Sequence, residues 1–260
     1  MVASSDQRLA GQRILVTRPM GQAENLCRLI EKEGGCSLHF PMIRIIKSES
    51  YPEVNEIIQS LDTFHWAIFV SVNAVKYGIP LILEQRNFPK NLKIAVVGRG
   101  TAKTLAAFNL FISLCPSTGY NSEALLAMDE FQDMVGKKII IFRGNGGRNL
   151  LAKTLADRGA QVSFGEVYRR CLPLPTVLKT LHQTLISNPA DIIVTTSQEI
   201  LENLCTVVAT SLLEKLYTTP LVVIGIRQAQ RAKELGFTKI YPVDKPEDNA
   251  LITAMIRCRA

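Results

Sequence analysis

The residue types best suited to chemistry in this chain of 260 residues gather in short loops that follow apolar runs. The loops read Thr17-Arg18-Pro19, Ser71-Val72-Asn73, Gly98-Arg99-Gly100-Thr101, Arg143-Gly144-Asn145-Gly146-Gly147-Arg148, Tyr168-Arg169-Arg170, Thr195-Thr196-Ser197 and Gly225-Ile226-Arg227. Seven of the sixteen arginines fall in them and no Asp or Glu does; Glu24 and Glu199 come about a turn into the helices that follow. A surface that only solvates a fold intersperses both signs. Glycine lets a backbone approach a ligand closely, and helix N-termini offer free N–H groups to anions. The guanidinium fork suits carboxylate or phosphate. The pattern therefore predicts a site for a polyanion, with binding points on several loops.

Each member also has a plainer use. RGNGGR (143–148) and GRGTAK (98–103) both lack the P-loop spacing. A Ser or Thr after a strand serves as a helix N-cap as readily as a ligand contact. Tyr168 in an extended run suits half-buried packing, and Trp66 suits core or rim packing. Cys27, Cys36, Cys115, Cys171, Cys205 and Cys258 form no C-x-x-C pair, and His39, His65 and His182 are isolated. No metal or other cofactor is expected.

Those loops need strands to carry them. Extended runs are predicted at 14–17, 38–46, 67–71, 94–98, 111–114, 138–142, 162–168, 192–196, 221–225 and 239–241, separated by helix-length segments. That alternation means βαβ units and parallel sheets, an α/β fold. The chain also repeats itself. ILVTRPMGQAENL (14–26) lies over IIIFRGNGGRNLL (139–151) at an offset of 125. The same offset brings LHFPMIR (38–44) over SFGEVYR (163–169), so Arg44 meets Arg169, and AIFVSVNAV (67–75) over IIVTTSQEI (192–200). At 127, IAVVG (94–98) meets the segment ending at Gly225, and at 126 Ala124-Leu125 meets Ala250-Leu251. Ordered matches at nearly constant spacing predict a duplicated five-stranded unit: two similar domains with a ligand cleft between them. By itself the repeat fits two consecutive domains split near residue 130.

Composition limits the classes. An apolar share of 47% excludes disorder, and 16 Gly and 12 Pro without period exclude a collagen-like chain. The longest apolar stretches are strand-sized, far below the roughly 20 residues that a bilayer needs, so no membrane association is expected. The start, MVASSDQRLAGQR, has no apolar h-region, so no secretory signal is expected and the location predicted is cytoplasmic. The net charge of +7 raises nucleic acid as a partner, but aromatics are only 7% and do not interleave with the basic loops, so none is expected.

The sequence resembles the uroporphyrinogen-III synthase family. The resemblance is carried by ILVTRP (14–19), FVSVNAV (69–75), VVGRGTAKTL (96–105), FRGNGGRNLLAKTLADRGAQV (142–162), EVYRR (166–170) and ITAMI (252–256), and runs from about residue 13 to 257. RGNGGR with the downstream VYRR is its most specific part. The resemblance implies two flavodoxin-like domains joined by a two-stranded β linker. The first domain would be 1–38 with 172–260 and the second 39–171, with the runs at 38–46 and 162–171 as the linker. It implies a cyclising dehydration of linear hydroxymethylbilane to uroporphyrinogen III with inversion of ring D, in tetrapyrrole and haem biosynthesis, without a cofactor. The substrate's eight carboxylates would answer the arginine pattern. Tyr168 matches the family's linker tyrosine and becomes the expected general acid. Substrate contacts are expected from Arg18, Pro19, Ser71, Asn73, Gly98, Thr101, Arg143, Gly144, Gly147, Arg148, Arg169, Thr196, Ser197, Gly225 and Arg227.

The family often carries Thr or Ser at the exit occupied here by Gly225-Ile226-Arg227-Gln228, so Arg227 or backbone N–H groups would replace that hydroxyl. A monomer is expected, with at most transient contact with the deaminase that makes the bilane. The rival reading is a non-catalytic two-domain protein that binds a phosphorylated metabolite or nucleotide, with RGNGGR cradling the phosphate.

Overall fold

The computed structural model describes residues 7–48, 51–147 and 149–259. Among them, ten strands form: β1 Arg13–Val16, β2 Cys36–His39, β3 Arg44–Lys47, β4 Trp66–Phe69, β5 Lys93–Val96, β6 Lys138–Gly144, β7 Gln161–Cys171, β8 Ile192–Val194, β9 Leu221–Ile224 and β10 Ile240–Val243. β4 and β8 are buried along their whole length, as strands covered by helices on both faces must be. Two five-stranded sheets result, in the orders β2-β1-β8-β9-β10 and β3-β7-β6-β4-β5. Neighbours in the first sheet pair in parallel, as do β7, β6, β4 and β5 in the second. Two compact units follow: the described residues up to Arg44 together with those from Cys171 onward, and Ile45–Arg170.

Counted in chain order within the first sheet, the strands run 2-1-3-4-5, the flavodoxin-like order. The repeat maps onto the second sheet strand by strand. β2, β1, β8 and β9 correspond to β7, β6, β4 and β5, and the place of β10 is taken by a single parallel bridge from Ala95 to Leu114. β3 is the additional edge strand beside β7.

Two expected strands differ. The run at 38–46 is not continuous: β2 belongs to the first sheet and β3 to the second, and residues 40–43 carry the chain across. Pro41 interrupts the run, because it has no N–H to donate to a ladder. Residues 111–114 form a bridge rather than a strand.

Strand alternation separates two apolar clusters on the second sheet. Trp66 and Ile68 join Ile139, Ile141 and Phe131 in one, and Ala67 and Phe69 join Ile140 and Phe142 in the other. Trp66 packs 4.9 Å from Phe131, centroid to centroid. In the first unit Ile14, Val16, Leu26, Ile30, Leu251 and Met255 share a core. Burial pushes the Cys205 thiol up to about 11 and that of Cys258 up to about 12, the behaviour of packing groups. No helix among the described residues is long and apolar enough to cross a membrane.

Candidate functional site

In an open α/β sheet, ligands bind beyond the carboxyl ends of the strands where the winding direction reverses. In the second unit this point lies between β6 and β4, since β6 leads through the helix Leu150–Asp157 to β7 while β4 leads through the helix Val72–Leu83 to β5. Ser71 ends the β4 exit and caps the helix Val72–Leu83, its Oγ accepting from the Ala74 N–H at 3.1 Å. Arg143 and Gly144 end β6.

β7 brings Tyr168 to the same point by a bulge. Pairing runs one to one from Lys138 and Gln161 to Arg143 and Glu166, and then Gly144 faces Tyr168, leaving Val167 as the extra residue. Val167 and Tyr168 therefore pack into the same apolar cluster, which neighbours on a regular strand cannot do. A Cβ on Gly144 would lie 2.4 Å from the Tyr168 ring. Here glycine is required by the ring that covers it. The Asn145 N–H donates to the Tyr168 carbonyl at 3.0 Å, and the Asn145 side chain accepts from the Arg170 N–H at 3.1 Å, fixing the strand end beyond the bulge.

A cavity of about 230 Å³ opens here, lined by Ser71, Ser122, Arg143, Gly144, Gly147, Phe164, Tyr168 and Arg170, together with apolar neighbours. The Tyr168 hydroxyl lies 3.2 Å from Ser71 Oγ, and the residue is only 5% exposed. Arg143 is 8% exposed. Its Nε donates to the Gly144 carbonyl at 3.2 Å, its Nη1 to Asn149 Oδ1 at 3.0 Å, and its guanidinium lies 5.0 Å from the centroid of the Phe164 ring. Gly147 has φ +94°, and a Cβ there would stand 3.0 Å from Arg143 Nη2 and 3.4 Å from Arg170 Nη2. Two guanidinium groups thus flank one glycine, and no carboxylate is among the described residues lining the cavity.

Four of the expected contact residues, Ser71, Arg143, Gly144 and Gly147, meet at this cavity with Tyr168, the expected general acid. Arg148 lies outside the described residues. Asn73, Gly98, Thr101 and Arg169 belong to the same unit but are not among the lining residues. Gly98 precedes the helix Arg99–Ala106, in whose first turn Thr101 is buried. Arg170, rather than Arg169, borders the cavity. Alternation beyond Tyr168 carries that signal, since residues 168 and 170 fall on one side of a strand. Ser122 and Phe164 carried no such signal.

The first unit holds the other expected contacts. Arg18 is ion-paired with Asp248 and donates to the Pro246 carbonyl at 3.3 Å. The strand exits are free of acids along the sequence but not in space, because Asp248 comes from the start of the helix Asp248–Arg257, 230 positions later. Asp248 also accepts from the Asn25 side chain at 2.6 Å. Pro19 beside Arg18 is buried, and Thr196 is half-buried. Ser197 caps the helix Gln198–Val207 through the Ile200 N–H at 3.2 Å. It is the structural counterpart of Ser71 at an offset of 126, one position off the register in which the sequences align. Gly225 has φ +74° with open space where a Cβ would go, and Arg227 is exposed. Sequence reasoning passed over Gln228, a buried amide whose three hydrogen bonds reach two of these segments, the β8 and β9 exits.

A family model described as uroporphyrinogen-III synthase HemD matches residues 24–253. The uroporphyrinogen-III synthase of Escherichia coli (strain K12) is 31% identical over 245 residues, covering 93% of this chain and 99% of that protein. The synthase of Salmonella typhimurium (strain LT2) is 32% identical over 244 residues, with 93% and 99% covered. Among solved structures, a mutant uroporphyrinogen III synthase of the extremely thermophilic bacterium Thermus thermophilus superposes with a TM-score of 0.64 at 19% identity, covering 95% of this chain and 98% of that one. Uroporphyrinogen-III synthetase of Helicobacter pylori 26695 gives 0.62 at 17% identity, with 95% and 99% covered. The structural likenesses show a shared fold.

Proposed function

This chain belongs to the uroporphyrinogen-III synthase family, and on that premise we propose that it cyclises linear hydroxymethylbilane to uroporphyrinogen III with inversion of ring D. One observation carries the reading. Ser71, Arg143, Gly144, Gly147 and Tyr168, from three separate stretches of sequence, line a single cavity with two guanidinium groups and no described carboxylate. Such a lining suits the acetate and propionate groups of a bilane. At about 230 Å³ the cavity is smaller than the ligand pockets of roughly 300–1,000 Å³ that enclose a drug-sized molecule. It takes the substituents of one ring rather than the whole tetrapyrrole. Thr196, Ser197, Gly225 and Arg227, at strand exits of the first unit, are proposed as further contacts for carboxylates of the bilane.

In the proposed reaction the bilane loses its hydroxyl as water and becomes an electrophilic azafulvene. Ring D attacks through its substituted carbon, and the resulting spiro intermediate fragments and recloses with that ring inverted. Tyr168 donates the proton that lets the hydroxyl leave, and the Ser71 hydroxyl at 3.2 Å holds the phenol in place. Arg143 is buried on Phe164 and bonded to Asn149, so its charge is set in advance of binding. An unassisted bilane closes at the nearer, unsubstituted carbon. Holding its ends in the other geometry is therefore the principal task of the protein, and such positioning can be worth roughly 7–11 kcal/mol in favourable cases.

Tyr168→Phe is expected to lower kcat on freshly prepared hydroxymethylbilane by about 100-fold, the lower range of general acid catalysis. Near-full turnover by that variant would remove Tyr168 as proton donor.

A further inference from the structure

The exits of β8 and β9 in the first unit are tied together by one side chain that the proposed reaction does not use. Gln228 lies one turn into the helix Gly225–Leu235 and is 4% exposed. Its Oε1 accepts from the Ile224 N–H at 2.9 Å, at the end of its own strand β9. Its Nε2 donates to Thr195 Oγ1 at 2.8 Å and to the Ser197 carbonyl at 3.0 Å, both beyond the neighbouring strand β8. One amide therefore spans two adjacent loops, and three of its hydrogen-bonding positions are filled. The third strand end is linked to the same place, since the Thr17 hydroxyl donates to the Val194 carbonyl at 2.6 Å.

The bond pattern gives the amide a directional role that packing alone would not require. Its acceptor fixes the backbone just before Gly225, which holds φ +74° with nothing within 4 Å of a would-be Cβ. Its donor fixes the peptide by which the cap residue Ser197 enters its helix, and the Ser197 Oγ is itself held by the Ile200 N–H at 3.2 Å. Thr196 lies between Thr195 and Ser197, the two residues of the β8 exit that Gln228 grips. A shorter or apolar side chain would leave the buried Thr195 hydroxyl and the Ile224 N–H to find other partners. The loops bearing Thr196, Ser197, Gly225 and Arg227 would then lose their fixed spacing.

We propose that Gln228 is a positioning residue that sets the spacing of the β8 and β9 exits and, through it, the isomer fidelity of the cyclisation. This rests on the reaction proposed above, in which those loops hold part of the bilane. A bilane held loosely at one end closes at the nearer carbon, so relaxed spacing shows as unrearranged isomer I made on the enzyme.

The test uses the full chain and freshly prepared hydroxymethylbilane, with products oxidised and the III and I isomers separated. Gln228→Met keeps the length of the side chain and removes its hydrogen bonds. Its KM is expected to rise about tenfold with kcat within about twofold, as for a lost network at a binding loop. Its isomer I fraction should persist as enzyme concentration is raised, because leakage on the enzyme scales with turnover whereas spontaneous closure is outrun. Thr195→Val removes one of the three bonds with little change of shape. It should move both readouts the same way by about threefold, and it decides the matter if Gln228→Met does not fold. A variant with lowered thermal stability but unchanged KM and isomer ratio would overturn the positioning role while leaving the reaction standing. A wild-type protein that yields no excess of isomer III would overturn both.

Discussion

Arg18 and Arg143 stand at the same point of the repeat, at the ends of β1 and β6, yet their surroundings differ. Arg18 is ion-paired with Asp248, and polar groups at the strand exits of its unit bond to one another: Thr17 to Val194, and Gln228 to Thr195, Ser197 and Ile224. Arg143 is held by a backbone carbonyl, an amide oxygen and an aromatic face, and borders a cavity with Arg170. Beside Arg18 the repeat carries Pro19; beside Arg143 it carries Gly144, over which the Tyr168 ring lies. The repeat carries an arginine at both strand ends, but one is paired with a carboxylate of its own unit and the other borders a cavity with no carboxylate among its described lining residues. An arginine at a strand exit is thus only half of a site; the carboxylate that does or does not reach it is the other half.

The sharpest way to break this comparison is a pair of glycine substitutions. Gly144→Ala places a methyl group 2.4 Å from the Tyr168 ring. Overpacking of this kind is expected to cost about 3 kcal/mol and to displace the phenol, lowering kcat/KM by about 100-fold. Gly225→Ala meets open space, so its cost is that of a left-handed backbone alone, about 1 kcal/mol. Urea midpoints at unchanged m-value separate the two; equal losses would abolish the distinction.

A smaller effect is expected from the arginines themselves. Arg143→Lys replaces a planar fork with a point charge, and KM for the bilane should rise about tenfold. Arg18→Lys should lower the thermal midpoint while KM stays within about twofold, because its charge faces Asp248. Initial-rate measurements on both variants check this. A larger KM change for Arg18→Lys would reverse the assignment.

The smallest effect concerns the other end of β1. The Asp191 carboxylate accepts from the Arg13 backbone N–H at 2.8 Å and from its Nε and Nη2, both at 3.1 Å. Burial raises its pKa, but the bonds from Arg13 outweigh that and hold it below the ordinary 3.8. A depressed folded-state value means stability present at neutral pH and lost as pH falls below the ordinary value through the folded one. Asp191→Asn should therefore lower the urea midpoint at pH 7 and narrow the gap to wild type at about pH 3. An unchanged gap at acid pH would show that the pair contributes nothing titratable.

Much of the fold was legible because it is written locally. Apolar runs of strand length marked the sheets, and the repeat anticipated the correspondence of β1 with β6 and β4 with β8. What escaped depends on partners far along the chain or on single-residue irregularities. Asp248 finds Arg18 across 230 positions, and nothing near either residue announces it. The extra residue Val167 rotates Tyr168 onto Gly144, and a one-residue bulge leaves no periodic trace in a strand already rich in apolar residues. Pro41 did mark the break in the run at 38–46, although the extended pattern around it read as one strand. Gln228 looked like an ordinary polar residue on a helix, because an amide's partners lie on other strands.

The most direct measurement is the isomer composition of the product. The protein is incubated with fresh hydroxymethylbilane, the mixture is oxidised, and uroporphyrin III is compared with uroporphyrin I. Isomer III in large excess over the enzyme-free control is the expected result; the control's isomer I, undiminished by added protein, would contradict the account.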